Sequence, residues 1–291
     1  MADAPDYQLA PAYQLAPAKL TVSLRVTGVR EDGLHLLDAE MVTLDLADEL
    51  WFAAGDALEV VGAGAGTGPD SGGGPSRGAG PYRAAGSDRY LVVPQGDDNL
   101  VCRALRAVGR TASVRLLKRI PVGGGLGGGS ADAAAVLRWA AGPDAAPSSR
   151  MRALAASLGS DVPFCVVGGR ARVRGVGEVV EPLTPQARSF LLLMPPFGVS
   201  TRRVYAAWDA LGCPTAAGLN DLEPAALAVE GRLRRWQEAL GELTGLAPVL
   251  AGSGSTWFVE VSPEQFRAAP QVLRVGGEVG LLRVVQTRTR T

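Results

Sequence analysis

The chain has 291 residues, 47% of them hydrophobic, and its 29 basic and 29 acidic side chains cancel. That length buries one large core or two medium ones and favours about two domains. The balanced charge leaves no electrostatic footprint for DNA or RNA, so no nucleic-acid partner is expected, while one local patch suffices for a small anion. Cys102, Cys165 and Cys213 are odd in number and lack CxxC spacing, which argues against a disulfide framework or a thiolate metal site. The opening residues show no basic segment before an apolar run, and the strongly apolar stretch Phe190 to Val199 is short and holds two prolines. The expectation is a cytoplasmic protein with no secretory leader and no membrane span.

The first dozen residues repeat an AxYQLAP-like phrase and read as a frayed extension. From Lys19 to Gly28, Leu20, Val22, Leu24 and Val26 alternate with Thr21, Ser23, Arg25 and Thr27, which predicts a half-buried strand. After REDG, His35 opens a second extended region in which Val42, Leu44 and Leu46 repeat the period. Residues 62–89 are rich in glycine and poor in large apolar side chains, so they read as a mobile surface insertion within the first domain. DDNLVCRALRAV predicts a capped helix, SVRLLKRI a strand, and Arg150 to Leu158 a helix ending at Gly159. FCVV and ARVRGVG predict a pair of strands. In the second half, Phe190 to Met194, WFVEV and LLRVV predict strands. Helices are expected over Thr201 to Leu211, over Pro224 to Leu240 with Leu233, Trp236 and Leu240 on one stripe, and near Pro263 to Val272. The alternation describes an α+β protein with a first domain over residues 14–175 and a second over 176–291, the boundary falling near 168–188.

The most informative segment is Pro121 to Ala135. Gly123, Gly124, Gly125, Gly127, Gly128 and Gly129 stand between a predicted strand and an alanine-rich helix. Missing side chains let main-chain N–H groups approach an anion, the helix N-terminus adds partial positive charge, and Ser130 offers a hydroxyl that would also cap the helix. No GK[ST] follows the glycines and no later acidic residue completes a dinucleotide fingerprint, so neither of those motifs is present. Asp132 reads either as a contact for Mg²⁺ or as an acid stabilising its own helix.

PVGGGLGGGSADAAA resembles the second motif of the GHMP kinase superfamily, APAKLTVSL at residues 16–24 the first, and AGSGSTWF at residues 251–258 the third. Within that superfamily, Asp32–His35, DDNL at 97–100, LGSDVPF at 158–164 and GVST at 198–201 resemble the kinases of diphosphocytidyl-methylerythritol. The resemblance implies an N-terminal domain like the second domain of ribosomal protein S5 and a ferredoxin-like C-terminal domain. It further implies ATP with Mg²⁺ as cofactors, a cytidine diphosphate-linked alcohol as substrate, and phosphorylation of its 2-hydroxyl in non-mevalonate isoprenoid synthesis; the sequence leaves monomer and homodimer both open. The alternatives are another alcohol kinase of the superfamily and a non-catalytic nucleotide-binding protein.

A hydroxyl attacking phosphorus loses its proton as charge spreads over the transferred group. Asp161, just past a helix and before Pro163, is the candidate base, and Lys19 the candidate electrostatic clamp; both match the family's catalytic pair. By resemblance, Asn99, Lys118, Pro121, Leu126 and Ser130 join the glycines around ATP. Thr21, His35, Asp161 and Tyr205 border the substrate, and Gly252, Ser253, Gly254 and Ser255 close against the phosphate loop. Two positions depart from the family pattern: Leu34 stands where tyrosine is common, and Thr21 where asparagine is common.

Overall fold

The computed structural model describes residues 12–62, 82–83, 90–91, 93, 96–142, 145–262, 264–266 and 270–289. The repeat of the first dozen residues lies outside them except for Ala12, and so does most of the expected glycine-rich insertion.

Six strands form the first sheet: β1 (Ala12–Val29), β2 (His35–Ala53), β3 (Ala57–Gly62), β6 (Ser113–Lys118), β7 (Arg170–Gly175) and β8 (Val179–Pro182). Between β3 and β6 the short β4 (Tyr82–Arg83) and β5 (Tyr90–Leu91) pair with each other. β2 is the spine. It pairs antiparallel with β1 along nearly its whole length, with β7 through residues 37–42 and with β6 through residues 49–53. The helices are α1 (Leu100–Ala107), α2 (Gly128–Ala141), α3 (Ser149–Leu158) and α4 (Val162–Val167), with α2 packed on β1 and β2 and flanked by α1 and α4. Arg138 on α2 donates to the carbonyls of Cys165 (2.7 Å) and Leu15 (2.8 Å), which fixes that helix against α4 and β1.

The second sheet runs β10 (Val249–Leu250), β11 (Trp257–Glu260), β9 (Ser189–Met194), β13 (Glu278–Gln286), β12 (Val272–Val275), all antiparallel. Its helices are α5 (Thr201–Ala210), α6 (Glu223–Val229) and α7 (Leu233–Thr244). Every residue of β9 is buried, as a central strand covered on both faces requires.

Three elements differ from the sequence expectation. FCVV is helical rather than extended: Asp161 is the N-cap of α4, Pro163 sits in its first turn, and residues 162–166 are all buried. A short run buried on every side has no period by which strand and helix differ. The expected helix over Pro224 to Leu240 is two helices, broken where Glu230 turns extended (φ −139°, ψ 86°) ahead of Gly231. Leu233, Trp236 and Leu240 still share the buried stripe of α7. The helix expected near Pro263 to Val272 is replaced, among the described residues, by a turn at 264–266 and by β12, which Gly276 and Gly277 (φ 53° and 81°) return into β13 as a two-residue hairpin.

β8 pairs with β7, so the chain leaves the first sheet only between Pro182 and Ser189, several residues beyond the 175/176 division expected from sequence. The free edge of β1 is covered by the second half: Leu24 N–H donates to the Leu219 carbonyl (2.8 Å) and Asp221 N–H to the Leu24 carbonyl (3.0 Å). Asp221 also accepts from Arg25 (2.7 Å) and the Val26 amide (3.0 Å). No helix among the described residues is long and apolar enough to cross a membrane.

Candidate active site

Residues Ala16 to Val22 of β1 are buried throughout, so the polar face expected to meet solvent is covered here and contributes Lys19 and Thr21 to a cleft of ≈ 880 Å³. At Lys19 the edge strand turns its amide to the Leu126 carbonyl (3.1 Å), joining strand to glycine loop. The Lys19 ammonium lies 3.3 Å from the Asp161 carboxylate and donates to the Thr21 hydroxyl at 3.0 Å. Residues 142 apart in sequence therefore meet, the cation buried and the carboxylate about one-third exposed at 32%. Burial, and next the charge of Asp161, push the Tyr205 phenol well above its ordinary value, so Tyr205 stays protonated beside them.

Pro121 to Ser130 line the same cleft. The loop holds its shape by contact with the second half. The Gly123 carbonyl accepts from the Val199 amide (3.3 Å), and the Gly124 carbonyl from Thr256 (3.2 Å). A Cβ on Gly125, whose φ is +78°, would stand 2.2 Å from the Ala251 carbonyl oxygen. One on Gly127 (φ +68°) would stand 2.7 Å from Lys19 Cγ. Glycine is required where main chain approaches this closely in the left-handed region.

Of the third motif, Gly252 and Ser253 reach the cleft, while Gly254 and Ser255 sit behind it. Ser253 shares a hydrogen bond with Thr201 (2.8 Å), Ser255 donates to the Phe197 carbonyl, and Asn220 donates to the carbonyls of Leu250 (2.8 Å) and Gly252 (2.7 Å). Ser130 does not cap α2. Gly127 occupies the cap position without a side-chain bond, and Ser130, the third helical residue, lines the cleft.

Asn99 caps α1, accepting from the Val101 amide at 2.8 Å, and lines the cleft. Lys118 lies under the first turn of α2, buried between Asp48 and Asp132, the latter at 2.7 Å. Asp132 thus pairs with a lysine rather than with its own helix end. Burial drives its carboxyl upward, against the opposing Lys118 ammonium. Asp48 also accepts from the Ile120 amide (2.8 Å), holding the entry to the glycine loop. Removing the cation leaves two buried carboxylates unpaired. Lys118→Met is expected to cost about 3–5 kcal/mol, read as a lowered urea midpoint that partly recovers on acidification as the Asp132 carboxyl protonates.

Sequence reasoning missed Asp48, Asn220 and Asp221. Asp48 falls in phase with the apolar positions Val42, Leu44 and Leu46 of β2, and Asn220–Asp221 stand just before an apolar helix start, which are the local signals available; their partners are distant in sequence. Cys165 is buried, and burial ahead of Asp161 pushes its thiol up to about 12, so it is inert. Among the described residues, no group of three or more His, Cys, Asp or Glu is placed to hold a metal ion.

In the same cleft, His35 begins β2 and Tyr205 projects from α5. Their ring centroids are 4.5 Å apart. A base between two rings would hold them roughly 7 Å apart, twice the carbon contact distance, so the pair forms one stacked wall. Leu34, at 48% exposed, lies on the rim.

Residues 99–169 match the family described as the GHMP kinases N terminal domain. The 4-diphosphocytidyl-2-C-methyl-D-erythritol kinase of Paramagnetospirillum magneticum is 34% identical over 284 residues, covering 86% of this chain and 90% of that protein. The kinase of the same name from Pelotomaculum thermopropionicum is 37% identical over 277 residues, covering 82% and 85%. A crystal structure of a 4-(cytidine 5'-diphospho)-2C-methyl-D-erythritol kinase superposes with a TM-score of 0.62 at 28% identity, covering 95% of this chain and 100% of that one. A homoserine kinase from Cytophaga hutchinsonii, 14% identical with a TM-score of 0.57 and covering 100% and 98%, shares the fold. With its two-sheet α+β architecture and a glycine loop braced by both halves, this chain belongs to the 4-diphosphocytidyl-2-C-methyl-D-erythritol kinase family of GHMP kinases.

Proposed function

We propose that this enzyme transfers the γ-phosphoryl group of ATP to the 2-hydroxyl of 4-diphosphocytidyl-2-C-methyl-D-erythritol, a step of non-mevalonate isoprenoid precursor synthesis. The observation that carries the reading is the Lys19–Asp161 pair, 3.3 Å apart in the cleft lined by the glycine loop. The substrate oxygen attacks the γ-phosphorus as its proton passes to Asp161; the new O–P bond forms as the bond to the β-phosphate oxygen breaks, and ADP departs. Lys19 stabilises charge on the attacking oxygen and the transferred group. Amides of residues 124–129 and the start of α2 receive the phosphates, with Ser130 and Asn99 at the border.

Mg²⁺ would accompany ATP and, when bound, would neutralise developing phosphate charge. The chain fits such an ion: Asp132 Oδ1 is a buried oxygen without a hydrogen-bond partner among the described residues, and Asp132 and Ser130 both line the cleft. One or two protein oxygens suit an ion that keeps waters and phosphate oxygens. These two residues would hold it.

His35, Tyr205 and Thr21 form the substrate end. The change of sheet between Pro182 and Ser189 supports a domain boundary at residues 183–188. A cytoplasmic location agrees with three free cysteines. The test is direct: purified protein, ATP and Mg²⁺ with the cytidine-linked alcohol, following ADP release and the mass of the product. Turnover of a different alcohol with none of this one would remove the substrate assignment, and no transfer across an alcohol panel by folded, ATP-binding protein would remove the kinase assignment.

A further inference from the structure

His35 is the single histidine of the chain. Its Nε2 lies 2.8 Å from Asp209 Oδ1, one face packs on Tyr205, and the edge of Trp208 meets it at 5.6 Å with an interplanar angle of 81°. Tyr205, Trp208 and Asp209 all come from α5, so one helix grips the ring on two sides and at one nitrogen. Nδ1 has no hydrogen-bond partner among the described residues. His35 and Asp209 both line the cleft.

A carboxylate only accepts, so its partner nitrogen must carry the proton. In the neutral ring this leaves the lone pair on Nδ1. Cytosine presents an exocyclic amino donor where uracil presents a carbonyl acceptor, and an acceptor nitrogen complements only the former. We infer that Asp209 is a positioning residue for base selection: by holding Nε2–H it fixes the orientation and tautomer of His35, and so presents Nδ1 as an acceptor to the amino group of the substrate's base. This rests on the cytidine-linked reading above. Asp209 bonds His35 and not the Lys19–Asp161 pair, so its effect belongs in substrate KM and base preference rather than in the chemical step.

The experiment uses untagged, full-length protein. Asp209→Ala is expected to raise KM for the cytidine-linked alcohol by up to about tenfold, the upper end of what one neutral hydrogen bond is worth. kcat and KM for ATP should stay within about twofold. Preference over the uridine-linked analogue should fall in parallel. Asp209→Asn, which keeps an acceptor oxygen, should retain most of the wild-type KM. With one histidine, long-range ¹H–¹⁵N NMR reads the tautomer without assignment: Nε2–H in wild type, a mixture in Asp209→Ala. Unchanged KM and base preference in a folded Asp209→Ala variant would overturn the inference while leaving the substrate reading intact, as would a raised KM with unchanged ring-nitrogen shifts. Failure of the wild-type protein to phosphorylate the cytidine-linked alcohol would instead remove the substrate reading, and this inference with it.

Discussion

Asp161→Asn is expected to lower kcat by about 10³-fold, within the range that a positioned general base contributes. Asparagine keeps the volume and can still accept a hydrogen bond from Lys19, so the cleft should keep its shape, and KM for ATP should change by no more than about twofold. What disappears is the proton acceptor. Asp161 opens a short helix whose backbone is fixed by burial around it, so the substitution leaves Val162 to Val166 in place. Steady-state kinetics with the cytidine-linked alcohol, paired with ATP titration, separates the two parameters; a variant retaining wild-type kcat would deny Asp161 its role.

The second large effect belongs to a residue with no side chain. Gly125→Ala is expected to destabilise the protein by roughly 3 kcal/mol or more, combining overpacking with a left-handed backbone unsuited to alanine. The added methyl would stand 2.2 Å from the Ala251 carbonyl oxygen and 2.9 Å from that of Gly254, both main-chain atoms that move only with their loop. Loss of ATP affinity should accompany the drop in Tm. Gly129→Ala is the contrast. Its φ is not in the left-handed region and its nearest obstacle is Leu100 Cδ1 at 3.4 Å, so Tm should hold. Thermal melts of the two variants, with and without ATP, distinguish close approach from a general intolerance of alanine in this loop; equal melts would show that the tight contact is dispensable.

Local chemistry explains why much of this architecture was legible before any coordinates. The alternation from Lys19 to Gly28 within β1, the capped helix in DDNLVCRALRAV and the glycine loop each declare themselves within a few residues through their period, their cap residues or an anomalous composition. The same locality explains the misreadings. Residues 162–166 are buried on every side, so no amphipathic period marks them as helical. Glu230 and Gly231 interrupt what reads as continuous periodicity, because the apolar stripe resumes in phase after the break. In the site, Lys19 and Asp161 were readable as candidates, but their 3.3 Å approach depends on α4 packing against β1, a long-range event. Asp48 was invisible for the same reason: its meaning is the Lys118 ammonium 70 positions away.

The bracing of the glycine loop reaches beyond its own geometry. Gly123, Gly124 and Gly125 belong to the first half of the chain, yet they rest on Gly198, Thr256, Ala251 and Gly254 of the second, while Gly127, Gly128 and Gly129 meet Lys19, Ile120 and Leu100 of the first. A truncation ending after Pro182 would therefore carry the whole sequence motif without the mould that shapes it. On the proposed reading of the loop, nucleotide binding and the union of the two halves are a single equilibrium, in which ATP would act as an adhesive between them.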